Sequence, residues 1–244
     1  TCALPILADG VYNYATGQPI QMPELSPLTY GHTDARLILR VGGSMGDVYG
    51  QRLLKRDLNG YILNEEGVGL AMENKETYLG SILPKMNMGW SLGFGYKGVN
   101  LGMTFTGRFG GIVISETQSV LDAAGVSKVS ADVRDAGGVQ INQSKVSAQT
   151  YYQAIQGTAA YYTYSATNVR LGELSLSYTL PKKWFDNKVG MTVGLVGKNL
   201  WMIYCKAPFD PELTTSAASN FYQGFDAYML PSTRNFGFNI KFQF

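Results

Sequence analysis

Residues 235–244 read N-F-G-F-N-I-K-F-Q-F. Phe236, Phe238, Ile240, Phe242 and Phe244 alternate with Asn235, Gly237, Asn239, Lys241 and Gln243, so a strand here has one wholly apolar face and one polar face. A half-buried strand of a soluble sheet has the same period, but four Phe on one face at a chain end would leave the outermost of them in water. The stretch therefore predicts a membrane-spanning strand whose apolar face meets lipid.

The same alternation recurs upstream. Residues 88–109, M-G-W-S-L-G-F-G-Y-K-G-V-N-L-G-M-T-F-T-G-R-F, predict a hairpin turning at Lys97 and Gly98. Trp90, Leu92, Phe94 and Tyr96 share a face on the first arm, and Val99, Leu101, Met103 and Phe105 on the second; each arm has the roughly ten residues that a tilted spanning strand requires. A strand over about 169–180 sets Leu174, Leu176, Tyr178 and Leu180 against Glu173, Ser175, Ser177 and Thr179. Val169 and Leu171 fall out of phase with it, which predicts either a bulge or a strand end that rises above the bilayer. After the short charged connector 181–188, a strand over 189–200 sets Val189, Met191, Val193 and Leu195 against Gly190, Thr192, Gly194 and Lys198. Five strands are clear, and up to seven are expected. Arg36 to Val41 alternates briefly, and Asn59 and Gly60 mark a small loop hairpin. Residues 1–34 are ambiguous, with a strand pair at 10–14 and 20–25 joined near Thr16 and Gly17.

Apolar residues make up 45% of the 244, yet no run approaches the roughly 18 of a spanning helix, which leaves the closed barrel as the spanning architecture. The 29 Gly, 16 Tyr and 11 Phe suit a barrel with small residues toward the lumen and aromatic girdles, and suit a secreted β-sandwich nearly as well. A formal charge of +2 without any Lys/Arg run removes the electrostatic case for nucleic acid. One His and two Cys give a transition metal almost no ligands, so no metal is expected, and His32 reads as part of a solvated loop. Cys2 and Cys205 form either a disulfide or two free thiols. The opening T-C-A-L-P-I-L has no initiator Met, basic n-region or sustained apolar core, so the sequence is expected to continue upstream.

The long connections are 110–168, which is Ser/Ala/Gln/Asp-rich and then Tyr-rich, and about 202–232; both are too long to be structureless in a compact soluble domain. Outer-membrane barrels have short periplasmic turns and long extracellular loops. With a periplasmic C-terminus, every short turn here falls in the periplasm and every long connection outside.

Nothing in the chain predicts chemistry. Asp210 and Glu212 of D-P-E are too few for a calcium site and read as a turn fixed at Pro211. Gly93 and Gly95 lie in a strand with no helix to receive an anion. Glu173, Ser175, Ser177 and His32 form no triad or nucleophile elbow, so no catalytic residue, cofactor or enzyme activity is expected.

Several ordered motifs resemble the SusC/RagA group of TonB-dependent outer-membrane transporters. They are G-D-V-Y-G (46–50), R-D-L-N-G (56–60), P-K-M-N-M-G-W-S (84–91) with Y-K-G and G-R-F-G-G, S-A-T-N-V-R-L-G-E-L-S-L-S-Y-T-L-P (165–181), G-K-N-L (197–200), D-P-E (210–212) and the closing Y-M-L-P-S-T-R-N-F-G-F-N-I-K-F-Q-F. The resemblance covers roughly 35–244 and implies the C-terminal segment of an all-β, antiparallel transmembrane barrel of about 22 strands. It further implies import of glycans or peptides across the outer membrane of a Gram-negative, Bacteroidetes-type cell. The implied partners are a SusD-like surface lipoprotein as lid, the TonB complex through an N-terminal part outside this sequence, outer-membrane lipid and the barrel assembly machinery.

On this reading Asn100, Thr104, Arg108, Glu173, Ser175, Lys198, Asn239 and Lys241 form a polar lumen wall. Phe236, Phe238, Ile240, Phe242 and Phe244 face lipid and form the assembly signal. Trp90, Tyr96, Tyr178, Trp184 and Trp201 fit an interfacial girdle. Tyr161, Tyr162, Tyr164, Phe221 and Tyr222 are candidate substrate-stacking aromatics of the loops, against the plainer reading of packed loop residues. A passive porin or adhesin barrel shares this strand pattern, and a secreted carbohydrate-binding β-sandwich requires the apolar faces to meet each other.

Overall fold

The computed structural model describes residues 11–12, 19–20, 25–29, 31–40, 43–65, 69–185, 189–213 and 223–243. β1 (Val11–Tyr12) and β2 (Pro19–Ile20) pair with Val11 opposite Ile20. β3 (Leu25–Thr29), β4 (Arg36–Leu39) and β5 (Asp47–Leu54) follow, then the β6 (Asn64–Glu65) and β7 (Gly69–Leu70) pair, then β8 (Met72–Ser81). The hairpin of β9 (Met86–Tyr96) and β10 (Val99–Phe109) leads to β11 (Ile112–Ser115). Next come α1 (Glu116–Ala123), α2 (Lys128–Asp135), β12 (Val139–Ile141), β13 (Ser144–Val146), α3 (Ala148–Ile155) and β14 (Thr163–Ser165). β15 (Asn168–Thr179), β16 (Gly190–Cys205), β17 (Phe225–Asp226) and β18 (Asn235–Gln243) complete the chain.

These elements fall into two units. The sheet unit, Pro84–Gly110, Ala166–Pro211 and Leu230–Phe244, holds an antiparallel meander in the order β18, β16, β15, β10, β9. Its strands are the five that alternation predicts, with β16 running on to Cys205. The β9–β10 turn is tight because Lys97 and Gly98 both take positive φ, 45° and 86°, the conformation whose twist matches a two-residue hairpin. The phase break in β15 is a bulge: Thr104 faces Glu173 and Phe105 faces Leu171, leaving Gly172 without an opposite number. Register places the start of β9, the end of β10, the start of β15 and the end of β16 at one end of the sheet, and the short turns at the other.

The second unit, Thr1–Leu83, Gly111–Ser165 and Glu212–Met229, contains the remaining elements, including most of the long connections. β3, β4, β5 and β8 form one sheet, and β14, β11 and β17 another. Ala35, Leu37, Val48, Ile82, Ile114, Ala159 and Phe225 make one buried cluster; Leu54, Leu70, Ile141, Tyr152, Ile155 and Tyr162 make another. The connection 110–168, read in the sequence only as a long extracellular connection, contains three helices of eight residues each. Ser115, Ser127 and Ser147 start them, each side chain accepting a hydrogen bond from the backbone N–H three residues on.

Within this unit Asp34 ties separate segments together. Its carboxylate accepts the backbone N–H groups of Gln51 (3.1 Å), Arg52 (2.7 Å) and Ala159 (2.6 Å). The Tyr-rich segment joins the same core. Tyr162 is 3% exposed within the second cluster, Tyr161 and Tyr164 pack against it, and the Tyr161 hydroxyl accepts the Leu54 N–H at 3.2 Å. Of the three candidate stacking aromatics, Tyr162 is therefore enclosed in the core, while Tyr161 and Tyr164 are partly buried against it. Phe221, Tyr222, Phe244 and Cys2 lie outside the described residues.

Candidate membrane-spanning sheet and lumen wall

Paired residues of adjacent antiparallel strands point to the same side of the sheet, so register alone sorts its two faces. One row across all five strands is Ser91, Thr104, Glu173, Lys198 and Asn235. The next polar row is Gly93, Gly102, Ser175, Val196 and Gly237, followed by Gly95, Asn100, Ser177, Gly194 and Asn239. Lys241 sits opposite Thr192, and Arg108 opposite Asn87 and Asn168. All eight residues Asn100, Thr104, Arg108, Glu173, Ser175, Lys198, Asn239 and Lys241 therefore share one face.

That face is linked across strands by a hydrogen bond and an ion pair: Ser91 Oγ lies 3.1 Å from Thr104 Oγ1, and Lys198 Nζ lies 3.7 Å from Glu173 Oε2. Its glycines make room for longer neighbours. A Cβ at Gly102 would lie 2.5 Å from Ser175 Oγ, and one at Gly194 2.5 Å from Asn239 Oδ1.

The opposite face is apolar from edge to edge. Its rows include Leu92, Met103, Leu174, Gly197 and Phe236, then Phe94, Leu101, Leu176, Leu195 and Phe238, then Tyr96, Val99, Tyr178, Val193 and Ile240. These side chains are not covered: Trp90 is 61% exposed, Phe94 57%, Leu195 57% and Phe236 79%. Among the described residues, the sheet unit contributes only Ala166, Ala207 and Pro211 to the buried apolar side chains. Five long strands without a core of their own are unlike a sandwich, in which such faces meet. A contiguous exposed apolar face of this extent marks a surface made for an apolar phase or a partner.

Its dimensions and aromatic placement match lipid. Ten residue steps from Met86 to Tyr96 span ~34 Å along the strand, and a tilt of ~45° projects this to ~24 Å, close to the ~25 Å apolar band of an outer-membrane barrel. Tyr96 and Tyr178 lie in the row nearest the short turns, and Trp90 and Trp201 in a row with Phe105 and Leu171 toward the other end. Amphipathic rings are favoured at both membrane interfaces.

One feature of the polar face was not legible in sequence. Arg170 donates Nη2 to Asp210 Oδ1 at 2.7 Å and Nη1 to Asp210 Oδ2 at 3.0 Å, and Asn168 Oδ1 accepts from the same guanidinium at 3.4 Å. The pair is nearly buried, and Pro211 beside it fully so. D-P-E is thus a turn, as its sequence suggests, but one locked onto β15. Cys205 is a free thiol whose Sγ donates to the Ala207 carbonyl at 3.4 Å. No cluster that could hold a metal ion occurs among the described residues.

No family model and no curated protein matches the sequence. The structure is similar to a chain of the RagAB peptide importer in its closed-closed state, with TM-score 0.56 and 18% identity over 88% of this chain and 24% of that one. A chain of the RagAB peptide transporter matches with TM-score 0.48 and 21% identity over 73% of this chain and 21% of that one. This chain spans about a quarter of the length of the importer chain, and shares with it a fold built mostly of antiparallel β-sheet, consistent with part of a β-barrel.

Proposed function

We propose that this chain is the C-terminal part of the barrel of a TonB-dependent outer-membrane importer of the SusC/RagA kind. The observation that carries the reading is the two-faced sheet: one face is apolar, uncovered and about as tall as a membrane, while the other is polar and cross-linked by hydrogen bonds. The fold likeness to a peptide importer supports it. The eight polar residues would line the lumen, and Phe236, Phe238, Ile240 and Phe242 would contact lipid. Phe244 would end the signal read by the barrel assembly machinery. A SusD-like lipoprotein would close the extracellular side over a peptide or glycan, and TonB would act through the N-terminal part.

Cysteine labelling in the full-length protein tests this. With Cys2 and Cys205 replaced by Ser, Ser175→Cys is expected to react with a membrane-impermeant maleimide in intact outer membranes, and Leu176→Cys is not. Equal labelling of both would overturn the lipid and lumen assignment. A passive porin would give the same labelling but admit substrate without the proton-motive force, whereas uptake that stops when the force is collapsed identifies the importer.

A further inference from the structure

The second unit contains a cleft of about 370 Å³ lined by His32, Arg52, Glu116, Gln153, Gln156 and Tyr228, among others. This is within the ~300–1,000 Å³ of small-molecule sites, at the small end. Two opposite charges stand in it. Arg52 is 40% exposed in its side chain, and its nearest anion is Asp34, whose Oδ2 lies 3.9 Å from Nε. Asp34 is already occupied by three backbone N–H groups. Among the described residues, the terminal guanidinium nitrogens of Arg52 have no acceptor.

Glu116 is the opposite case. It is 3% exposed, and its Oε1 takes only two long hydrogen bonds, from the His32 N–H at 3.3 Å and the Tyr228 hydroxyl at 3.4 Å. A carboxylate has about four acceptor sites, so capacity remains for a ligand donor. Tyr228 is held at the cleft in a left-handed backbone conformation, φ 54°, by its N–H donating to Thr117 Oγ1 at 2.7 Å.

A neutral sugar entering this cleft would strip water from a guanidinium and a buried carboxylate and return only neutral hydrogen bonds, which leaves both charges poorly compensated. A ligand carrying its own carboxylate and ammonium forms a charge-assisted bond at each. Gln153 and Gln156 line the same cleft, and their amides can hydrogen-bond a peptide group. We infer that the cleft binds a short peptide by its charged ends, the carboxylate at Arg52 and the amino group at Glu116. The assignment rests on the importer reading for its purpose, uptake, and the binding itself is measurable apart from transport.

The test is calorimetric titration of the detergent-purified full-length protein with trialanine, trialanine amide and N-acetyl-trialanine. Trialanine is expected to bind, and blocking either end to weaken binding about tenfold or more. Arg52→Gln should abolish the difference between acid and amide while keeping the difference between free and acetylated amine, and Glu116→Gln should do the converse. Arg52 is exposed enough for its variant to fold even if Glu116→Gln does not. No binding of trialanine up to millimolar concentration, indifference to end-blocking, or binding of maltotriose in its place would overturn the assignment. Trialanine binding together with failed lumen labelling would leave the cleft standing and remove the importer; the reverse pair of results would remove the cleft alone.

Discussion

Arg170 and Asp210, 40 residues apart, meet as a planar two-point ion pair at 2.7 and 3.0 Å on the polar face of β15. The contact fastens the segment that follows β16 back onto the sheet, with Ala207 and Pro211 buried beside it. Removing one partner of such a buried pair strands the other charge and costs about 3–5 kcal/mol. Asp210→Ala is therefore expected to lower the temperature at which the full-length barrel loses its folded mobility on SDS gels. Arg170→Lys should not restore it, because an ammonium lacks the two-point fork.

The two faces of β18 predict opposite responses at adjacent positions. On the proposed assignment, Phe238→Lys places a charge in lipid at a cost of about 2–4 kcal/mol near the midplane, whereas Asn239→Lys places it on the polar face at little cost. Quantifying folded protein in outer-membrane fractions checks this, and equal losses at both positions would contradict the face assignment.

Gly157 holds φ +71°, and a Cβ there would lie 2.8 Å from the His32 carbonyl oxygen. Gly157→Ala combines left-handed strain of about 1–2 kcal/mol with a backbone clash. At Gly60, φ +85°, nothing lies within 4 Å, so Gly60→Ala carries the strain alone. Faster hydrogen exchange around residues 155–160 is expected for the first variant and not for the second.

Burial, then the nearby Asp122 and Tyr152, push the Tyr164 phenol up from 10.0 to about 12, and burial pushes Tyr162 up as well. A raised pKa means the unfolded chain releases its proton first. The contribution of Tyr164 is therefore fully present below pH ~10 and is lost as pH rises toward ~12. Alkaline titration followed by ultraviolet absorbance should show Tyr164 ionising late, and Tyr164→Phe should make the second unit less sensitive to pH in that window.

The five strands of the sheet, the turn at Lys97 and Gly98, the bulge in β15 and the division into two faces are all legible in the sequence, because side-chain alternation and turn chemistry act over a few residues. S-E-T-Q at 115–118 carries a helix-start signal of the same local kind. Helices of eight residues are nonetheless marginal on their own, and those of 116–155 depend on burial, as with Tyr152 and Ile155 in the second core cluster. β8, M-E-N-K-E-T-Y-L-G-S, shows no clean apolar period and is a strand because β5 pairs with it. Arg170 with Asp210 and Glu116 with Tyr228 are separated by 40 and 112 residues, distances over which no sequence period extends. Local periodicity determined which segments form the long strands and which side of each is apolar; tertiary structure alone decided which charges meet, because such pairs form only when the chain's return path brings them together.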